Sequence, residues 1–122
     1  MEEQRRPPEG QRQREELNQE IANFIADIIY EYISSRLGKK LVECYIDVRF
    51  NGFSVEVSVD IGASPLVGEE ELSKIADEAS ELGIAVADMV KEGLNLGVDK
   101  RRVLREALRR LKGVQEDSDN YT

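Results

Sequence analysis

Residues 42–61 read VECYIDVRFNGFSVEVSVDI, and this stretch decides the fold. Apolar side chains occupy every second position on both sides of Asn51-Gly52, which is the alternation of half-buried β-strands. Asn-Gly tolerates the positive φ angles that a two-residue type I′ turn requires. The stretch therefore predicts an antiparallel β-hairpin with one face in a hydrophobic core.

A two-residue turn also predicts the register of the strands. The predicted inward pairs are Phe50 with Phe53, Val48 with Val55, Ile46 with Val57, Cys44 with Val59 and Val42 with Ile61. On the outward face, Asp47 is predicted opposite Glu56 and Glu43 opposite Asp60, with Tyr45 and Ser58 between them. Like charges facing each other across a sheet destabilise it by ~0.2 to 1 kcal/mol per pair. We call these four carboxylates, Glu43, Asp47, Glu56 and Asp60, the acidic sheet face.

Helical periodicity flanks the hairpin on both sides. From about Glu15 to Leu37, apolar residues recur every three or four positions, which predicts a long amphipathic helix that ends at Gly38. A second helix is predicted to begin after Gly68 as its N-cap. Gly83 in the interior of this helix is unfavourable by up to ~1 kcal/mol relative to Ala, which suggests that a large side chain presses on it.

The charge of the chain is unevenly distributed. The net charge is −8, and residues 17–98 carry six basic and fifteen acidic groups, whereas residues 99–112 carry seven basic and two acidic groups. Asp99 is predicted to cap a third helix there. At 100° per residue, five of its cations lie on one arc, which we call the basic face: Arg101, Arg102, Arg105, Arg109 and Lys112. This face is suited to an acidic protein surface, to another subunit or to phosphates, although no aromatic residue is interleaved for base stacking and the acidic body repels nucleic acid.

The predicted fold is α+β, an α-β-β-α core in which two long helices cover one face of the hairpin, followed by the basic helix. One domain is expected over residues 15–112, between a disordered polar tail at 1–14 and a disordered acidic tail at 113–122. The sequence contains no long apolar run and no secretory leader, so we expect a cytoplasmic protein. Its charged fraction of 34% is typical of thermophile proteins.

The sequence offers no catalytic motif. It has no histidine, its lone Cys44 is predicted to lie in the core, where a thiol is inert, and phosphate-binding loops and nucleophile elbows are absent. We therefore predict a non-enzymatic protein with no catalytic, cofactor or metal residues. Three readings of the acidic sheet face stay open: a solvated surface, a contact for a basic partner such as the basic face of another copy, and a Ca²⁺ or Mg²⁺ site, which a flat sheet disfavours.

The outer edges of the hairpin predict assembly. A two-stranded ribbon is marginally stable, and its edges expose unpaired backbone groups. Two hairpins joined edge to edge across a twofold axis form a four-stranded sheet. We expect the hairpin edge to pair with a second copy of the chain, as a homodimer, or with a related subunit. Either assembly could belong to a larger protein complex.

Three segments carry a resemblance to known proteins: EIANFIADIIYEYISSRL, CYIDVRFNGFSVEVSVDI and EELSKIADEA, within about residues 17–90. They resemble small archaeal αββα proteins of unknown function. The order is also similar to that of the Pcc-type dimerisation subunits of the archaeal KEOPS complex, which makes the threonylcarbamoyl modification of tRNA adenosine. That resemblance implies a non-catalytic accessory subunit that binds the catalytic subunit through its helices, although those subunits have a strand before the first helix and lack the third helix.

A further likeness is to YbaB-type nucleoid proteins, which share a hairpin followed by a helix with an acidic start. It implies, as an alternative, a YbaB-like or KH-like RNA- or DNA-binding protein that uses the basic face. A third alternative is an archaeal homodimer without either function.

Overall fold

The computed structural model describes the backbone of residues 9–119 and the side chains of residues 10–112. This part of the chain forms α1 (Glu9–Leu37), β1 (Leu41–Phe50), β2 (Val55–Ala63), α2 (Glu69–Lys91) and α3 (Lys100–Asp119), with a 3₁₀ turn (Gly38–Lys40) between α1 and β1. Helix α1 lies against β1, α2 lies against β2 and α1, and α3 packs on α2 and α1. The predicted α+β fold and its order of elements are confirmed.

The core lies between the helices and the inner face of the hairpin. Its largest fully buried side chains come from α1 and α2: Ile25, Ile28, Ile29, Ile33, Ile75, Leu82 and Val86. Each such side chain stabilises the fold by roughly 1.5 to 3 kcal/mol when it is removed from water. The inward side chains of the hairpin pack against this core but are only half-buried.

The helix ends follow the predicted signals. Gly38, at a φ of 54°, follows the last residue of α1, a left-handed conformation that glycine adopts without strain. Gly68 is the N-cap of α2. Asp99 precedes α3, and its carboxylate Oδ1 accepts the backbone N–H of Arg101 at 3.4 Å. These three boundaries are confirmed.

The turn of the hairpin differs from the prediction. Residues 51–54 form a four-residue loop, and Phe50 pairs with Val55 instead of Phe53. The side-chain Oδ1 of Asn51 accepts the backbone N–H groups of Phe53 and Ser54, each at 2.9 Å. Asn51 lacks the positive φ of a type I′ turn. The prediction of a two-residue turn is therefore wrong, because the Asn51 side chain stabilises a wider loop.

The whole register is displaced by two positions. The observed inward pairs are Phe50 with Val55, Val48 with Val57, Ile46 with Val59 and Cys44 with Ile61. Because side chains alternate with a period of two, the paired residues still face the core. Phe53, predicted to face inward, lies in the loop and is 86% exposed, so that prediction is wrong. On the outward face, Arg49 lies opposite Glu56, Asp47 opposite Ser58, Tyr45 opposite Asp60 and Glu43 opposite Gly62. The predicted like-charge pairs, Asp47 with Glu56 and Glu43 with Asp60, are wrong, and the observed register replaces one of these repulsions with an Arg–Glu pair.

The start of β1 contains a bulge. Leu41 pairs with Ala63 and Glu43 pairs with Gly62, so Val42 is the extra residue. Its side chain is 72% exposed. The prediction that Val42 faces Ile61 in the core is therefore wrong.

Both end helices are longer than the periodicity predicted. Helix α1 begins at Glu9, six residues before the predicted start, and residues 10–17 are exposed. Helix α3 runs to Asp119, beyond the predicted end of the domain at residue 112. The remainder of the predicted tails, residues 1–8 and 120–122, lies outside the described residues. In the described part of the chain, no helix has the length and apolar character needed to span a membrane.

Candidate interaction surfaces

The two outer edges of the hairpin are open within residues 9–119. There, β1 pairs with β2 alone, and the sheet has two strands. The backbone groups on the far side of each strand have no strand partner, and the inward side chains at both edges are only half-buried. Such edges are templates for pairing with a further strand.

Between Gln19 and Ser34, the flank of α1 beside the outer edge of β1 carries no charge. At 100° per residue, five side chains of this segment fall on one strip: Gln19, Asn23, Ala26, Tyr30 and Ser34. Towards the start of the helix, Arg12 and Glu16 continue the same strip. We call the five uncharged side chains the neutral strip. Tyr30, at its centre, is 51% exposed.

Contacts on either side locate the neutral strip. On one side of the strip, Ala22 of α1 lines a hollow together with Val48 of β1. On the other side lies Asp27, whose carboxylate binds Lys100 of α3. The strip lies between these contacts and therefore faces sideways, beyond the edge of the sheet.

The corresponding flank of α2, beyond β2, is charged. Ile84 is half-exposed there, and Gly83, one position earlier, borders Val57 of β2. Asp77 and Asp88 lie within 40° of Ile84 around the helix axis by the 100° spacing. The two edges of the sheet therefore differ in the charge of the helix flank beside them.

The acidic sheet face is outward-facing, as predicted, but its charges are dispersed. Glu43, Glu56 and Asp60 are exposed, and Asp47 is half-exposed. Arg49 lies among them, with its Nε 3.3 Å from Asp47 Oδ2. Within the described residues, no group of three or more carboxylate or thiol side chains is placed to hold a metal ion.

The five residues of the basic face all lie on the exposed arc of α3. Val103 and Ala107 form the buried side of the helix, which turns the basic face towards solvent. Arg101 Nε lies 3.9 Å from Glu31 Oε1, and Arg109 Nη2 lies 3.3 Å from Glu106 Oε1. Both pairs are exposed, so each stabilises the fold by at most about 1 kcal/mol.

Two other cations of α3 form ion pairs with residues of α1 and of the end of α2. Lys100 Nζ lies 2.7 Å from Asp27 Oδ2 on α1. Arg110 donates to both carboxylate oxygens of Glu92, just after α2, at 3.0 and 3.4 Å. Both ion pairs are exposed, so the buried side chains of Val103 and Ala107 are the main contacts that orient α3.

A polar cluster that the sequence did not predict joins α1 to α2. The hydroxyl of Tyr32 donates to Glu78 Oε1, and Arg36 Nη1 donates to Tyr32 Oη at 2.7 Å and to Glu78 Oε1 at 2.9 Å. The four-residue spacing of Tyr32 and Arg36 places them on one helix face. Glu78 could not be identified as their partner, because that requires the relative register of two helices.

Burial, and then the hydrogen bond to Glu78, raise the pKa of Tyr32 to about 12. The hydrogen bond from Tyr32 is the largest cause that lowers the pKa of Glu78. At neutral pH the phenol therefore keeps its proton and the carboxylate stays ionised. Neither group is tuned to exchange a proton, and the cluster acts as a clamp between helices.

Cys44 lies half-buried on the inward face of β1. Burial raises the pKa of its thiol, so the reactive thiolate is disfavoured.

Comparisons with protein-family models, with curated proteins and with solved structures found no match to this chain.

Proposed function

We propose that this chain is a non-catalytic protein–protein interaction module that assembles by pairing an edge of its hairpin with a second hairpin. The observation that supports this proposal is a two-stranded sheet with both edges open and its apolar face half-buried. A two-stranded ribbon gains stability when a further strand satisfies its backbone groups. Pairing also covers the apolar side chains at the margin of the sheet.

The edge of β1 is the better candidate for pairing. In a twofold contact the same surface is presented by both subunits, so charged residues near the axis meet like charges. The neutral strip of α1 avoids this repulsion, whereas Asp77 and Asp88 beside β2 do not. Pairing of two β1 strands brings two α1 helices together and buries Tyr30.

A second copy of the chain is the simplest partner, because the neutral strip is compatible with itself. The other candidate partner is a related subunit with the same hairpin. In that case, the resemblance to Pcc-type subunits implies that this chain is an accessory subunit of a KEOPS-like tRNA-modification complex. Co-purification with the catalytic subunit tests it, and failure to form a stable complex would remove the KEOPS assignment while leaving self-pairing intact.

A scan with single cysteines tests the pairing directly. In a Cys44→Ser background, one cysteine is introduced at a time on the outward face, at Glu43, Tyr45, Asp47 or Arg49 of β1 and at Glu56, Ser58 or Asp60 of β2. In a twofold antiparallel pair, one position of the edge strand lies opposite its own copy. We expect a disulfide-linked dimer at one position of β1 or at two neighbouring ones. Linkage on β2 would assign pairing to the other edge, and uniformly weak linkage would contradict edge pairing.

Nucleic-acid binding through the basic face is the alternative function. It is favoured by the five exposed cations along α3. Binding of RNA or DNA should then weaken steeply with salt and be lost when Arg102, Arg105 and Arg109 are replaced by Glu. The absence of any salt-sensitive binding would end this alternative.

A further inference from the structure

We propose that a groove beside the basic face of α3 binds an acidic segment of a partner protein that also carries a large apolar side chain. This surface is separate from the hairpin edge. The proposal does not depend on how the hairpin pairs.

The groove runs between the end of α2, the loop after it and the outer arc of α3, and its volume is about 630 Å³. Its floor is apolar, and four side chains form it: Met89, Leu94, Val98 and Val103. Met89 and Val103 are buried, and Leu94 and Val98 are half-buried. Solvent therefore reaches apolar surface that the fold leaves only partly covered.

The rim of the groove is positively charged. Arg102, Arg105 and Arg109 line it, together with Glu106. The three arginines stand three and four residues apart, so they occupy one side of α3 over about 10 Å. Glu106 is their one carboxylate neighbour in the lining, and it is shared between Arg109 and Arg110.

These arginines are not used to hold α3 in place. Lys100 and Arg110 bind carboxylates outside α3, but within residues 10–112 no carboxylate lies within 4.0 Å of a guanidinium nitrogen of Arg102 or Arg105. Arg102 and Arg105 are exposed, so within residues 10–112 their positive charges are available to a partner. Arginine and methionine are among the residue types enriched at protein-binding surfaces.

The chemistry of the groove selects its occupant. A phosphate backbone would meet the arginines but would leave the apolar floor uncovered, and it would approach an acidic domain. A small anionic molecule needs enclosure, whereas this groove is open along one side. An amphipathic segment satisfies both features, since its carboxylates reach the arginines while an apolar side chain fills the floor.

The test uses the full chain and a short fluorescein-labelled peptide designed as a helix, with Leu on one face and Glu on the other. Three matched probes are the same peptide with Leu replaced by Ser, the same peptide with Glu replaced by Gln, and a single-stranded oligouridylate. We expect fluorescence anisotropy to show saturable binding of the first peptide and much weaker binding of the other three. Arg105→Glu should weaken binding of the first peptide by about tenfold.

Arg101→Glu is the matched control, because Arg101 is on the same helix, is also exposed and lies outside the groove. It should leave the affinity for the peptide nearly unchanged. Leu94→Ser tests the floor without altering charge and should also weaken binding, and circular dichroism checks that each variant is folded. Equal effects of Arg101→Glu and Arg105→Glu, tighter binding of the oligouridylate than of the peptide, or no saturable binding of any probe would each overturn the proposal.

Discussion

Gly83 of α2 lies so close to Ile29 of α1 that a Cβ atom at position 83 would stand 2.9 Å from Ile29 Cδ1. The same Cβ would stand 3.0 Å from Val57 Cγ2 of β2. This glycine is therefore the point where the two long helices and the hairpin meet. Its presence inside a helix is explained by close packing.

Replacing Gly83 by Ala tests this packing. Alanine is favoured in a helix by up to ~1 kcal/mol, whereas overpacking a core costs ~1 to 3 kcal/mol, so we expect Gly83→Ala to destabilise the protein by about 1 kcal/mol. Chemical denaturation measures the change. Ser73→Ala, at an exposed position of the same helix, should be neutral or slightly stabilising. A Gly83→Ala protein more stable than wild type would show that Ile29 and Val57 move aside freely.

Tyr32→Phe removes the hydroxyl that links Glu78 and Arg36. Because hydrogen bonds to charged groups are stronger than neutral ones, we expect a loss of about 1 to 2 kcal/mol of unfolding free energy at neutral pH. Ser35→Ala, which removes a hydroxyl bonded within α1 alone, is a control and should cost less. Equal losses of unfolding free energy in Tyr32→Phe and Ser35→Ala would mean that the clamp contributes little to stability.

The clamp also predicts how stability depends on pH. The pKa of Tyr32 is raised from 10.0 to about 12, so its contribution is present below pH 10 and is lost as the pH rises towards 12. The pKa of Glu78 is lowered, so its contribution is present above its ordinary pKa and is lost as the pH falls through the lowered value. Tyr32→Phe should abolish the loss of stability at alkaline pH and reduce the loss of stability at acid pH. Spectrophotometric titration should show one tyrosine fewer ionising near pH 12, and an unchanged titration would contradict the assignment.

The observed strand register predicts a coupling between Arg49 and Glu56. Arg49→Glu places like charges opposite each other and should destabilise the hairpin by ~0.2 to 1 kcal/mol, and adding Glu56→Arg should restore part of this loss. A double-mutant cycle in low salt measures the coupling. The register of a two-residue turn would instead place Asp47 opposite Glu56. A second cycle with Asp47→Lys therefore discriminates the two registers, because stronger coupling of position 47 than of position 49 to Glu56 would contradict the observed one.

The sequence identified the features that depend on local pattern. The caps at Gly68 and Asp99, the buried stripes of the helices and the close contact at Gly83 follow from spacing and propensity. The sequence could not choose the register, because loops of two and four residues after Phe50 place the same side chains inward from Val55 onwards and differ only at Phe53. The choice depends on the hydrogen bonds of the Asn51 side chain and on charges across the strands.

Other features lacked any local signal. Residues 10–14 are helical but exposed, so no apolar period marks them. Val42 leaves the core through a bulge that alternation alone does not reveal. Glu78 meets Tyr32 only because α1 and α2 pack in one particular register.

Ala107→Glu tests the attachment of α3. Ala107 is fully buried, so a carboxylate there is left without a partner, and α3 should separate from α1 and α2. Trypsin, which cleaves after Lys and Arg, should then cut α3 much faster than in the wild type. Glu106→Ala on the same turn is the control and should have little effect. An unchanged cleavage rate in Ala107→Glu would contradict the packing of α3.

We expect the chain to assemble through the edge of β1 and the neutral strip of α1. Sedimentation equilibrium from low to high micromolar concentration, on the wild type and on two matched variants, measures this assembly. Tyr30→Glu places like charges in the neutral strip, and Ile84→Glu makes the same change on the flank of α2. We expect a wild-type mass of twice 13.8 kDa, a monomer for Tyr30→Glu and a dimer for Ile84→Glu. A wild-type monomer at every concentration, or a dimer that Tyr30→Glu leaves intact, would contradict it.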